Sequence, residues 1–308
     1  MGSMRQFKSK TGQLIGHPTH GFGLIRDPGE HGKNGIYNLF HVHPASRVMA
    51  AKLPDLFSLE SYAPAVWNQD QTGSCTGHGF GGAETTTLGA QGRPLPSPVC
   101  PRVRYNLGRA VDRANPDVPL RDEGAQPNSL ARAAGLYGVA IESEVDGGLT
   151  ADSPDYASHL DAHVNDELKL GELEAAGKRR LSGYLAVADA DPAKTLKIRQ
   201  GLYGKCAAVV AVDAGSPEFQ SYDESRGPLG YTGPDPDHCV FILGYGTPAA
   251  LAAAKLIPDA WKAWPTPYLY LLQNSWGKKN WTASGRAYVT EDFVQRGVFN
   301  TLICGLGA

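Results

Sequence analysis

The 308-residue chain lacks any long hydrophobic run. Its longest apolar stretches, such as Ala207 to Val212, fall far short of the ~20 residues that a membrane-spanning helix needs. It also lacks an excess of charge of one sign. Its 29 Lys and Arg against 31 Asp and Glu leave a net charge of −2, so no strong basic field favours nucleic acid or an anionic membrane. Cysteine is scarce: Cys75, Cys100, Cys206, Cys239 and Cys304 are odd in number and contain no C-x-x-C pair. That argues against a disulfide framework or a structural zinc site. Arg5 to Lys10 is basic but leads into no apolar h-region, so no secretory signal is visible, which favours the cytoplasm over secretion.

The composition present, 42% hydrophobic and 19% charged, is that of an ordinary soluble globular protein of one or two domains. The 37 Gly and 22 Pro imply many turns without reaching the level of a low-complexity chain. Thr11 to Asn34 is rich in Gly, Pro and His and shows neither helical nor strand periodicity. His17, His20, His31, His41 and His43 fit no common zinc spacing and read as polar loop, so no metal is expected.

From about Leu53 the texture changes. Thr72-Gly73-Ser74 is a turn directly before Cys75, and the run from Cys75 to Leu88 reads as a helix. Its glycines each cost ~1 kcal/mol against Ala, which suits a helix buried between two halves of a protein. Leu130, Ala133, Ala134 and Tyr137 mark a helix over 128–137, stopped by Gly138. Asp191-Pro192 opens another, ending at Gly204. Strands are expected at 207–212, 239–243, 268–272 and 286–290, with an Ala- and Pro-rich insertion over 247–267. Helices first and strands later mean an α+β fold.

Three segments carry chemistry: Trp67 to Cys75, Asp237 to Gly246, and Gln273 to Gly277. A thiol at a helix N-terminus is acidified by the unpaired backbone N–H groups and the helix dipole. A histidine within reach of it forms an imidazolium, leaving a thiolate nucleophile and an acid for the departing amine. An amide such as Asn274 can orient that imidazole. A glutamine upstream of the nucleophile can aim its N–H₂ at a developing oxyanion.

These segments resemble the papain-like cysteine peptidases. Gln69 stands six residues before Cys75, Gly73-Ser74-Cys75 copies the family's Gly-Ser-Cys, His238 to Gly246 gives the strand ending in Gly-Tyr-Gly, and Asn274-Ser275-Trp276-Gly277 is complete. Ser97-Pro98 and Tyr105-Asn106 look like the segment after the active-site helix in prokaryotic members, Asp122 to Ala125 looks like the family's glycine-bearing strand lining the non-primed cleft, and the likeness runs from about Leu53 to the C-terminus. The family's extra cysteine, three residues before the nucleophile, is Thr72 here, so its disulfide cannot form; that fits a reducing compartment and a bacterial or phage-like branch. The aromatic that follows the nucleophile in the family is Thr76.

The resemblance implies a two-lobe fold. A mainly helical lobe (53–180) carries Cys75, and a β-barrel-like lobe (181–308) carries His238 and Asn274 across a cleft. It implies a cysteine endopeptidase acting on peptide or protein substrates without metal or organic cofactor. Cys75 is the nucleophile, His238 the acid and base, Asn274 its orienter, and Gln69, favoured over Gln71 by spacing, the oxyanion donor. Trp276 would shield the His–Asn bond. Gly124 is a candidate for backbone pairing with substrate, against an ordinary turn glycine. Asp237 either modulates the imidazolium or is solvated. Cys239, alternating with His238 along a strand, should face the other way. Residues 1–52 form either a short inhibitory pro-segment over the cleft or a passive strap. The alternatives are a non-catalytic papain-like binding module and a related thiol amidase or transferase. The intact residue set disfavours the first and the Asn-Ser-Trp segment disfavours the second.

Overall fold

The computed structural model of the protein describes residues 7–8, 14–15, 52–113, 117–145, 149, 153, 155–179, 183–278 and 280–305. The role expected for residues 1–52, and their five histidines, lie outside the described residues. The exceptions are Lys52 and two short strands that pair antiparallel, β1 (Phe7–Lys8) and β2 (Leu14–Ile15).

After β3 (Leu56–Ser58) come five helices: α1 (Cys75–Ala90), α2 (Pro101–Asp112), α3 (Pro127–Leu136), α4 (Tyr156–His163) and α5 (Leu170–Gly177). Then follow β4 (Gly183–Val187), α6 (Lys194–Tyr203), β5 (Ala208–Val212), α7 (Pro217–Gln220), β6 (His238–Gly246) and α8 (Pro248–Ala253). The chain ends with β7 (Leu269–Gln273), β8 (Arg286–Thr290), α9 (Glu291–Gly297) and β9 (Val298–Gly305). The order is α+β, as the sequence suggests, with β3 an early exception. Helix α6 starts later than expected: Asp191 accepts the Ala193 amide at 2.8 Å, and the helix proper begins at Lys194.

The sheet is antiparallel, in the order β4-β9-β5-β6-β7-β8. It is not closed, which corrects the barrel-like expectation: β4 and β8 end the path rather than meeting each other. Nine-residue β6 outruns β5, whose pairing stops at Ile242, and its free end takes β3 through Gly244 to Gly246. Helix α1 lies along β6, with α2 against α1 and α3 against α2. One continuous core, from Leu59 to Cys304, joins helices and sheet.

Helix α2 sets Val103, Leu107 and Val111 at helical spacing against a small apolar cluster, and its buried residues also include arginines. Arg102, Arg104 and Arg109 are all buried. Arg104 Nε donates to both oxygens of Glu84 on α1 (2.9 and 3.1 Å), and its Nη2 donates to the Leu130 carbonyl of α3 (2.6 Å). The Tyr184 hydroxyl of β4 donates to the same Glu84 carboxylate. Pairing and hydrogen bonding together make such a buried charge tolerable.

The glycines of α1 let β6 approach. A Cβ on Gly79 would stand 2.8 Å from Cys239 Sγ, and one on Gly82 would stand 2.7 Å from Phe241 Cζ. Position 79 therefore sits on 239 and position 82 on 241. Helix and strand run the same way, and their leading residues, Cys75 and His238, share one end of the packed pair.

Candidate active site

Cys75 is the first residue of α1, where backbone N–H groups have no intrahelical partner. The first turn carries no acidic side chain to occupy them. Ser74 does not cap the helix. Its Oγ instead lies 2.7 Å from Thr72 Oγ1 and 3.2 Å from His78 Nδ1. Thr72 Oγ1 also donates to the Gln69 carbonyl at 2.8 Å, so hydroxyl bonds hold the turn. No disulfide joins the five cysteines, and all are buried.

His238 opens β6 and meets Asn274, just past the end of β7. Its Nε2 lies 2.7 Å from Asn274 Oδ1. The Ser275 backbone N–H donates to that same Oδ1 at 2.7 Å, which identifies the atom as the oxygen. An amide oxygen only accepts, so Nε2 carries a proton. In the neutral ring Nδ1 then holds the lone pair.

An aromatic wall covers this bond. The Trp276 ring centroid lies 4.8 Å from that of His238, and Phe219 stands edge-on to Trp276 at 5.5 Å. Trp281 stacks on Phe219 at 4.7 Å and donates from Nε1 to the Phe219 carbonyl (2.7 Å). Shielding from water strengthens the hydrogen bond underneath. Phe219 and Trp281 bear no local signal in the sequence; only folding brings them to Trp276.

Gln69 is stitched to the Asn274 segment. Its backbone N–H donates to the Ser275 carbonyl (2.8 Å), and Ser275 Oγ donates to its Oε1 (2.5 Å). Its Nε2 donates to the Thr72 carbonyl at 2.9 Å, which turns the amide nitrogen towards the turn before Cys75. Asp70, at φ 50°, makes the tight reversal next to it. The structure thus brings Gln69, His238, Asn274 and Trp276 together beside the leading end of α1.

Two of the sequence candidates sit slightly apart. Asp237 is only 7% exposed, so the solvated alternative does not hold. Its Oδ1 accepts the Ala214 amide (2.8 Å) and its Oδ2 the Gly215 amide (3.0 Å). Burial raises its carboxyl to about 7. Gly124 is buried at φ 90°, a conformation that favours glycine, and its N–H donates to the Tyr105 hydroxyl (2.9 Å). Cys239 faces α1, and burial raises its thiol well above the usual range. Sequence reading passed over His78, one turn below Cys75, whose imidazole burial lowers to about 4. Among the described residues no group of three or more His, Cys, Asp or Glu is placed to hold a metal ion. No helix among them is long and apolar enough to cross a membrane.

No family model and no curated protein matches the chain. Solved structures do. Xylellain, a cysteine protease from Xylella fastidiosa, superimposes with a TM-score of 0.65 at 16% identity, covering 100% of both chains. The fold is that of the papain-like cysteine proteases. A digestive procathepsin L proteinase from the larval midgut of Tenebrio molitor gives 0.60 at 20% identity over 93% of this chain and 78% of its own. A recombinant stem bromelain precursor gives 0.58 at 16% identity, over 87% and 74%. The 247–267 segment packs Leu251, Ala252, Ile257 and Trp261 against Leu269 of β7 in a small core of their own.

Proposed function

We propose that the chain is a cysteine endopeptidase that hydrolyses peptide bonds through a thioester. The observation that carries this reading is the His238 Nε2–Asn274 Oδ1 bond of 2.7 Å, at the end of β6 that meets the leading end of α1. The Cys75 thiolate attacks the substrate carbonyl carbon. The Gln69 side-chain N–H and the Cys75 backbone N–H hold the resulting oxyanion. Imidazolium His238 passes its Nδ1 proton to the departing amine, leaving a thioester. His238 then takes a proton from water, the hydroxide expels the thiolate, and the carboxylic acid product leaves. Asn274 keeps the imidazole in one orientation and tautomer throughout, and Trp276 shields their bond. The backbone around Gly124 pairs with the extended substrate.

Two of the similar solved structures are precursor forms, which supports regulation in which residues 1–52 act as a pro-segment.

The test is labelling by an epoxysuccinyl peptide together with hydrolysis of a peptide library. Cys75→Ala should abolish both with the fold retained, and His238→Ala should block labelling. Cleavage by Cys75→Ala at the parent rate would end the peptidase reading. Failure of the full chain and of a form starting at Leu53 to label or cleave would favour a silent binding module. Equal rates for the two forms, both folded, would end the pro-segment idea alone.

A further inference from the structure

Three segments far apart in sequence meet at one point beside the nucleophile turn. The Gly73 backbone N–H donates to both oxygens of Asp122, at 2.9 Å to Oδ1 and 3.0 Å to Oδ2. The Tyr105 hydroxyl donates to Asp122 Oδ1 at 3.0 Å and accepts from the Gly124 backbone N–H at 2.9 Å. The approach is close: a Cβ on Gly73 would stand 2.9 Å from Asp122 Oδ1, 3.3 Å from Gly124 N and 3.3 Å from Tyr105 Oη. Each group suits its place. A carboxylate only accepts, and it faces two donors; a phenol does both, and it stands between an acceptor and a donor.

Tyr105 is itself clamped. It is fully buried, and on one side the bare Gly77 of α1 admits it: a Cβ there would stand 2.7 Å from Tyr105 Cβ. On the other side the Arg109 guanidinium lies 4.0 Å from the ring centroid. Arg109 donates to Asn106 Oδ1 (2.6 Å) and to the carbonyl of Arg121, the residue before Asp122. The Asp122 segment is therefore fixed from its backbone as well as from its side chain.

We infer that Asp122 and Tyr105 are positioning residues: a hydrogen-bonded brace that fixes the Gly73 turn, and so Cys75, relative to the Gly124 backbone. The inference rests on the peptidase reading, in which Gly124 pairs with substrate and Cys75 attacks it. Neither side chain touches the reacting atoms. The brace sets the register between the strand that holds the peptide and the sulfur that attacks it, and a misplacement of about 1 Å in such a register can cost about a hundredfold in rate.

The experiment uses the full chain, allowed to complete any self-processing, with Tyr105→Phe, Asp122→Ala, Asp122→Asn and the double variant Tyr105→Phe/Asp122→Ala, each checked for fold by circular dichroism. Peptide hydrolysis is compared with alkylation of Cys75 by iodoacetamide, which has no peptide to align. Tyr105→Phe and Asp122→Ala should lower kcat roughly ten- to a hundredfold with KM little changed, while alkylation stays at the parent rate. Asp122→Asn keeps an oxygen for both donors and should recover most of the loss. The double variant should be no worse than Asp122→Ala, because the two residues act as one unit. Cleavage by the folded variants at the parent rate would overturn the inference. So would a parallel fall in alkylation, which would mean general disruption of the turn. A parent inert to both probes would instead sink the peptidase reading, and the brace with it.

Discussion

His78 offers a sharp test because its burial has a consequence of known sign. It lies on α1 one turn below Cys75, 1% exposed, with Trp67 at 5.8 Å and Tyr156 at 6.2 Å between ring centroids. Its Nδ1 is 2.9 Å from the Ser74 carbonyl, so the neutral ring donates from Nδ1, and Nε2 is buried with no hydrogen-bond partner among the described residues. A second proton would have to sit on Nε2 without an acceptor. Burial is the larger effect and lowers the imidazole from 6.5 to about 4; the Ser74 bond opposes it. Between those values the unfolded chain binds a proton that the folded chain refuses, so stability falls as the pH drops from 6.5 towards 4. A shift from 6.5 to about 4 corresponds to a loss of about 3 kcal/mol at pH 4 relative to neutrality. Phe has a similar volume and does not titrate. In a Cys75→Ala background, urea unfolding followed by tryptophan fluorescence should be run from pH 7 to pH 4 with and without His78→Phe. The stability difference between variant and parent should move by about 3 kcal/mol in favour of the variant on going to pH 4. Curves that stay parallel across that window would refute the reasoning, and with it the description of His78 as buried and neutral.

Asp237 should act with the opposite sign: its carboxyl is raised from 3.8 to about 7, chiefly by burial, so its folded form holds a proton that the unfolded form has lost. Its contribution therefore falls as the pH rises from 3.8 to 7, and Asp237→Asn should remove up to roughly 4 kcal/mol of that decline in the same denaturation series. Gly77→Ala should destabilise, because the new Cβ meets Tyr105 Cβ at 2.7 Å and the Pro101 carbonyl; overpacking of about 1–3 kcal/mol outweighs the gain in helix propensity. Gly135→Ala on α3, exposed and with nothing within 4 Å, should instead raise the urea midpoint by the equivalent of about 0.5–1 kcal/mol. Gln69→Ala should lower kcat for peptides by roughly a hundred- to a thousandfold, with Cys75 alkylation retained; an unchanged kcat would remove Gln69 from the oxyanion site.

Much of the fold was legible because local signals agreed with it. The strands at 207–212, 239–243, 268–272 and 286–290 lie within a residue of their observed starts, since β-branched and aromatic runs between turns have few other ways to pack. The helix at Cys75 was legible despite its glycines, because burial against β6 explains them. Helix α2 was missed although Val103, Leu107 and Val111 recur at helical spacing, because its other inward residues include Arg102, Arg104 and Arg109, and an apolar-periodicity reading takes arginine for surface. Nor was β3, three residues long, which exists only because β6 extends beyond β5 and leaves an edge to pair with.

The sequence by itself determined helix α1, the strands β5 to β8 and the spacing of Gln69, Cys75, His238 and Asn274, because these are local patterns and motifs written along one dimension. Only the tertiary structure decided that the sheet stays open, that Asp237 is sealed by two backbone amides, and that Phe219 and Trp281 wall in the imidazole. It alone brought Gly73, Tyr105, Asp122 and Gly124 to one point. Hydrogen bonds and desolvation depend on distances of a few ångströms between residues as far as 206 positions apart, and no local pattern encodes such a distance.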